Sequence, residues 1–354
     1  MSEEAIVRRL KAQLGPAIRV PGSHGDLWTA TWADDGELYV ASDDTYGFNR
    51  ACSSNLAINR ITGEPPDLRG ETINPMSKYG KLGETLEDGG MWKANGLTCV
   101  DGVLYMSVSR HIGAAMNSPK DRFHIQESWD SSIVKSYYHG VSWSPMPGMD
   151  KAMFPGQNFC TPFFVQFGKD GKGDADGSDT YVYAVSSKGV WNNGIGMTMG
   201  RVRRDRIVRL DPADWEFIHG FKESGEPIWK PRHDTARLIF RAPGRASMTG
   251  IHYIAPLQLY IMPQWYYTYL DDPQRRWKAT RIELYQAPAP WGPWELFHSE
   301  DFEPQGWYNP CIPSKFISED GLNMWMLVAG DWTSGDGPRA YYCLHTMPLT
   351  LRTD

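Results

Sequence analysis

The residues of this sequence best suited to chemistry are three aspartates near its start. Asp26 precedes the apolar run Leu27–Trp32, and Asp43 and Asp44 follow the run Leu38–Ser42, so they flank one hairpin whose turn is Asp34-Asp35-Gly36. Two carboxyls held close at a partly desolvated site separate in pKa: one keeps its proton and the other ionises. Glycoside hydrolysis needs that division, a protonated acid for the leaving oxygen and a carboxylate acting as nucleophile or as base for water. Asp26 and Asp44 form the first pair. Asp43 competes with Asp44, because neighbours on a strand face opposite ways and a shift of one residue exchanges them. The bland alternative for each is a backbone cap beside a turn.

A hairpin is what would position these groups, and hairpins recur. LWTATWADDGELYVASDDT, GLTCVDGVLYMSVSRH, TPFFVQFGKDG with TYVYAVSSKGVW, TGIHYIAPLQLYIMPQW and PSKFISEDGLNMWMLVAGDW each read as strand, turn and second strand. They begin near 27, 96, 161, 249 and 313. Further strands are expected at NLAINRI, SSIVKSYY, RIVRLDPA, ARLIFRA, TRIELYQA, WELFHSE and AYYCLHTMPL. Recurrence along the whole chain predicts an all-β fold, a five-bladed β-propeller of four-stranded antiparallel blades forming a single domain over 1–354. Residues 1–22 would form an N-terminal segment whose strand, near Ala17–Val20, closes the ring. Two separate β-sandwiches are the competing arrangement.

In a propeller, the residues just before each first strand and just after each second strand meet at one channel mouth. That set comprises His24, Asp26, Asp43 and Asp44, then Trp92, Asn95, Arg110 and His111. It continues with Asn158, Lys188, Trp191 and Asn192, with Gln264 and Trp265, and with Tyr308, Asn309, Asp331 and Trp332. Its polar and aromatic character suits an oligo- or polysaccharide, with Trp191, Trp265 and Trp332 as stacking faces, although most tryptophans serve only as core.

Composition narrows the classes. With Lys+Arg 36 against Asp+Glu 42 the net charge is −6, so nucleic acid is not the expected partner. No stretch reaches 18 apolar residues and the N-terminus lacks an apolar signal core, so no membrane partner is expected. As it stands the sequence reads as cytoplasmic, with secretion open if a leader has been removed. Five scattered cysteines without CxxC suggest neither zinc nor a disulfide framework, and no cofactor or metal is expected. The loop KDGKGDADGSD, with Asp170, Asp174, Asp176 and Asp179, resembles part of a calcium loop but lacks its spacing and terminal Glu. It reads as a solvated turn.

Several longer stretches carry a family resemblance. DTYVYAVSSKGVWNNG, MGRVRRDRIVRLDPADWEFIHG, Trp229, YQAPAPWGPWELF and the ending YNPCIPSKFISEDGLNMWMLVAGDW resemble the glycoside-hydrolase-like propellers of domain-of-unknown-function family 4185. Some members of that family are endo-D-arabinanases of glycoside hydrolase family 183. The resemblance implies hydrolysis of a furanoside-containing, arabinan-like glycan, with a non-catalytic glycan-binding propeller or an interaction scaffold as the alternatives. It also implies an Asp before the first strand and an Asp-Thr after the second, which Asp26 and Asp44-Thr45 match. One departure matters: related arabinanases usually supply a Glu acid from the third blade, whereas VSSKGVWNNG has no carboxylate. Asp331, Glu84, Glu87 or Asp88 would have to replace it, or the two aspartates suffice, or catalysis is lost.

Overall fold

Period-two alternation broken by Asp-Gly and other glycine turns folds this chain into successive antiparallel meanders. The computed structural model describes residues 10–112, 126–148, 150–173, 180–335, 337 and 339–353. Among them the regular elements are strands and short 3-10 turns, with no α-helix. Asp174, Asp176 and Asp179 of the acidic loop lie outside the described residues.

Two N-terminal strands come first, β1 (Leu10–Leu14) and β2 (Ile18–Arg19). Next, β3 (Ser23–Trp32), β4 (Leu38–Phe48), β5 (Ser54–Thr62) and β6 (Arg69–Asn74) pair in chain order as one sheet. So do β7 (Met91–Val100), β8 (Val103–Ile112) and β9 (Glu127–Ser136). A third meander runs through β10 (Thr161–Gln166), β11 (Tyr181–Ser187), β12 (Gly194–Arg203), β13 (Trp215–Phe221) and β14 (Pro227–Lys230), and β15 (Leu238–Ala246) also pairs with β12. A fourth comprises β16 (Ile251–Ile254), β17 (Leu259–Tyr267), β18 (Thr280–Ala287) and β19 (Glu295–Phe302), joined to the third by a short parallel pairing of β10 with β16. The last contains β20 (Tyr308–Cys311), β21 (Asn323–Ala329) and β22 (His345–Thr353).

Both N-terminal strands pair antiparallel with β22, Leu10 opposite Thr353 and Ile18 opposite Thr346. The first strands touch in cyclic order: β3 meets β7, β7 meets β10, β10 meets β16, and β20 lies between β17 and β3. Between them packs a continuous core with Trp28, Trp92 and Trp265 wholly buried.

Two expected strands are corrected. RIVRLDPA forms 3-10 turns at Ile207–Arg209 and Pro212–Asp214, the third strand of that meander being β12 instead. The last hairpin begins earlier than Pro313, because β20 pairs with β21 while Ser314–Phe316 makes a 3-10 turn.

The same irregularity recurs on three innermost strands. Between Asp26 and Thr29, Ala94 and Leu97, and Tyr308 and Cys311, the inner strand advances three residues while its partner advances two. Such a bulge turns the strand and re-aims the side chains beside it. In β3 the extra residue places Leu27 and Trp28 at positive φ (71° and 49°), and in β20 Asn309 at 48°. Left-handed backbone at such residues is costly and held only by its surroundings. Gly96 stands where a Cβ would lie 2.5 Å from the Phe163 Cα, so β7 and β10 reach their separation only with glycine there.

Candidate functional site

The β3–β4 hairpin delivers the three aspartates to different depths. Asp26, directly before the bulge, faces Asp43 across the ladder. Its neighbour Gly25 has φ 114°, and a Cβ there would meet the Asp43 carbonyl at 2.7 Å, so glycine lets the two strands close beside the carboxylate. Asp43 points inward: its Oδ1 accepts the Ala94 N–H at 3.0 Å, and burial pushes its pKa well above the ordinary carboxylate value. Asp44, at φ 40°, turns the other way, its side chain 35% exposed and ion-paired with Lys93, whose side chain is 5% exposed. Burial works against the charge on Lys93, but the three aspartates around it outweigh that penalty and raise its pKa.

Asp26 lies at the floor of a pocket of about 460 Å³. Burial first, and then the negative charge of Asp44, push its pKa up to about 7, against the opposing pull of Lys93 and of hydrogen bonds from Tyr308 and Tyr342. The Tyr308 hydroxyl donates to Asp26 Oδ2 at 2.9 Å. Asp44 lines the same pocket, and these two are its only carboxylates among the described residues. The arrangement therefore has one carboxyl that holds its proton near neutrality and one carboxylate neutralised by a lysine, opening on a space walled by aromatic rings.

Of the residues expected at the mouth, His24, Asp26, Asp44, Trp191, Tyr308 and Trp332 line this pocket. The His24 ring sits 4.4 Å from that of Tyr46, and Trp332 is 52% exposed. The remainder do not line it. Trp265 is wholly buried, donating to the Met248 carbonyl at 3.1 Å, and supports Trp191 and Tyr308 from beneath (centroids 5.0 and 5.3 Å); it offers no face to a sugar. Trp92 is likewise buried. Asn95 donates to Ser109, Asn192 accepts from the Gln126 N–H, and Gln264 accepts from the Ser247 N–H, each side chain holding backbone or a neighbouring strand. His111 is buried and, through that burial, held neutral with a pKa of about 3. Arg110 closes on Asp88 and Asp130, Asn158 donates to the Asp234 carbonyl, and Lys188 lies outside the lining. Asn309 is buried along the central axis with Thr249 and His252. Asp331 is buried and caps the Thr333 N–H at 2.9 Å.

The physical reason for this displacement is that most of these residues sit inside their strands, where pairing and alternation send half the side chains inward. Of the carboxylates considered as replacements for a third-blade Glu, Asp331 is spent on its cap, Glu84 accepts the Lys81 N–H at 2.8 Å, and Asp88 pairs with Arg110.

Sequence reasoning missed Tyr46, Tyr267, Trp277 and Tyr342, together with Met91 and Gln126, all of which line the pocket. Tyr46 and Tyr267 carry a readable signal, since each stands two residues beyond a singled-out position, Asp44 or Trp265, on the same strand. Trp277 stands in an irregular segment where no period applies, and Tyr342 lies in the first half of the expected strand AYYCLHTMPL, which is strand only from His345 onward.

No protein-family model matches the chain, and no curated protein sequence does. Solved structures match its fold. A candidate hydrolase from Bacteroides ovatus is 15% identical, with a TM-score of 0.54 over 94% of this chain and 87% of that one. A mutant of the GH43 protein BlXynB from Bacillus licheniformis is 13% identical, with a TM-score of 0.50 over 97% of this chain and 54% of that one. The chain thus shares its all-β fold with these two proteins while spanning about half of the second protein's length.

Proposed function

We propose that this chain is a glycoside hydrolase of the five-bladed propeller type, one domain over 1–354, acting on a furanoside-containing, arabinan-like glycan. Membership of domain-of-unknown-function family 4185 and glycoside hydrolase family 183 belongs to the same proposal. The observation that carries it is the unequal carboxyl pair in one aromatic pocket, Asp26 raised to about 7 and Asp44 paired with Lys93.

In this reading Asp26 is the general acid. Its proton passes to the glycosidic oxygen as the bond from that oxygen to the anomeric carbon breaks. Asp44, ion-paired with Lys93, meets the developing positive charge, either bonding to the anomeric carbon or taking a proton from the water that does so. Tyr308 holds the Asp26 carboxyl in orientation from below. Trp191, Trp277 and Trp332 offer ring faces and edges to the sugar chain.

The test is to incubate the protein with arabinan, xylan and aryl furanosides and separate the products by chromatography. Release of oligosaccharides from arabinan, lost in Asp26→Asn and in Asp44→Asn, is the expected result. Tight glycan binding without cleavage would replace the hydrolase by a binding propeller, and neither binding nor cleavage would leave an interaction scaffold.

A further inference from the structure

Beside Asp44 the pocket is walled by a loop, and one buried side chain holds that loop in place. After β6 the chain passes through a 3-10 turn at Ser77–Tyr79, and a few residues later Leu82 and Gly83 line the pocket. Asn55 on β5 lies between Ser54 and Leu56, the ladder partners of Thr45 and Asp43, and so stands opposite Asp44. Its side-chain amide donates to the Tyr79 carbonyl at 3.1 Å and to the Glu84 carbonyl at 2.8 Å, while its Oδ1 accepts the Gly83 N–H at 2.9 Å. Its own backbone N–H donates to the Gly80 carbonyl at 3.1 Å. A Cβ on Gly80 would stand 2.9 Å from the Asn55 Nδ2, so the loop settles this closely only with glycine there.

Three carbonyls and one N–H of the loop are thereby spent on Asn55, which is 1% exposed. What this wall offers the pocket is the Leu82 side chain and Gly83, continued by Met91, with no side chain that hydrogen-bonds. A hydroxyl-bearing substituent pressed against it would lose water and gain no partner. On the side of Trp277 and Trp332, which follow β17 and β21, the space instead continues into a groove of about 570 Å³ that both rings also line. The main chain of a glycan has a way out over those rings, and a branch directed over β5 has none.

We infer that Asn55 is a specificity-determining positioning residue: by fixing the loop from Tyr79 to Glu84 as an apolar wall beside Asp44, it confines the pocket to an unbranched glycan chain. The inference rests on the glycan reading above and narrows its substrate class. Leu82 meets the sugar; Asn55 acts through Leu82.

Calorimetry on the full chain carrying Asp26→Asn, so that no probe is consumed, tests it with two probes: a linear arabinofuranosyl pentasaccharide, and the same chain with one arabinofuranosyl branch on its central sugar. The linear probe should bind at least about tenfold tighter, the scale on which a closed pocket rejects an oversized group. Adding Leu82→Ala or Asn55→Ala should bring the ratio within about threefold, chiefly through a gain by the branched probe, and Asn55→Ala should also speed amide hydrogen exchange from Tyr79 to Glu84. Should Asn55→Ala fail to fold, Asn55→Asp takes its place, since it keeps the acceptor for Gly83 and loses both donors. Equal affinity for the two probes, or a ratio that survives in the Asn55 variant, overturns the inference while leaving the hydrolase reading intact. Binding of neither probe at millimolar concentration overturns both, whereas the expected ratios in a protein whose Asp26 form cleaves no glycan support the inference and remove only the hydrolase.

Discussion

Two enclosed carboxylates in this molecule have opposite fates. Glu283 on β18 is buried and surrounded by donors: the Tyr266 hydroxyl reaches its Oε1 at 3.0 Å, the Tyr285 hydroxyl its Oε2 at 2.6 Å, and Arg245 lies 3.4 Å away. Asp26 also accepts from two tyrosines, Tyr308 and Tyr342, but it opens on a pocket, shares that pocket with Asp44, and has a pKa displaced to about 7. The contrast teaches that enclosure alone makes no active group. A carboxylate closed in by donors with a guanidinium nearby is a structural tie; one that opens on a pocket beside a second carboxylate has a proton to trade.

The sharpest way to break this comparison is Asp26→Asn. With the acid removed, turnover on a cleaved furanoside should fall by at least ~10²-fold with glycan affinity roughly kept, and full activity would end the assignment. Glu283→Gln should leave kcat in place and cost about 1–3 kcal/mol of stability through strained or lost hydrogen bonds, read by denaturant unfolding.

The tryptophans repeat the contrast one step down. Trp265→Ala hollows the layer beneath the pocket and should cost about 3–5 kcal/mol. Trp332→Ala should leave the unfolding midpoint nearly unmoved and raise KM about three- to tenfold, because stacking is lost in ground and transition states alike. Similar stability losses in both would mean that the exposed ring is structural.

Acidity gives a third test. If Asp26 must donate a proton, kcat/KM should decline as pH rises through about 7. A flat profile from pH 5 to 9 would contradict the role.

The smallest expected effect is on melting temperature. The folded-state pKa of Asp26 is raised above its ordinary value of 3.8, so the folded chain holds a proton that the unfolded chain releases. Its contribution to stability therefore declines between about pH 4 and 7, and the cost is complete above 7. Asp26→Asn removes that cost. Its Tm should match wild type near pH 4 and exceed it by about 2–5 °C at pH 8.

Much of this was legible in advance, for reasons visible in individual residues. Strands such as Thr280–Ala287 and hairpins such as β3–β4 announce themselves by alternation and Asp-Gly turns. The pairing of the N-terminus with the last strand follows from that strand's open edge. Asp26 and Asp44 were legible as a pair because they bracket one hairpin. Depth was not: nothing local to Trp265 or Trp332 says that one is roofed over by Trp191 and Tyr308 while the other stands clear. Nor does the sequence mark the bulges at Leu27-Trp28 and Asn309-Pro310, which set where Asp26 and Tyr308 point.

The pairing of β1 and β2 with β22 joins residues more than 300 positions apart, Leu10 with Thr353. Among the described strands no other pairing spans so much chain. Loop-closure entropy grows only with the logarithm of length, so this closure costs little more at equilibrium than one of half the span. In time the account is different: contacts of this separation are late to form. The early-synthesised strands must then wait, edge uncovered, until the final strand exists. The strap that completes the last sheet is made before the strand it joins and placed only after it, so folding speed should respond to its substitution less than unfolding speed does.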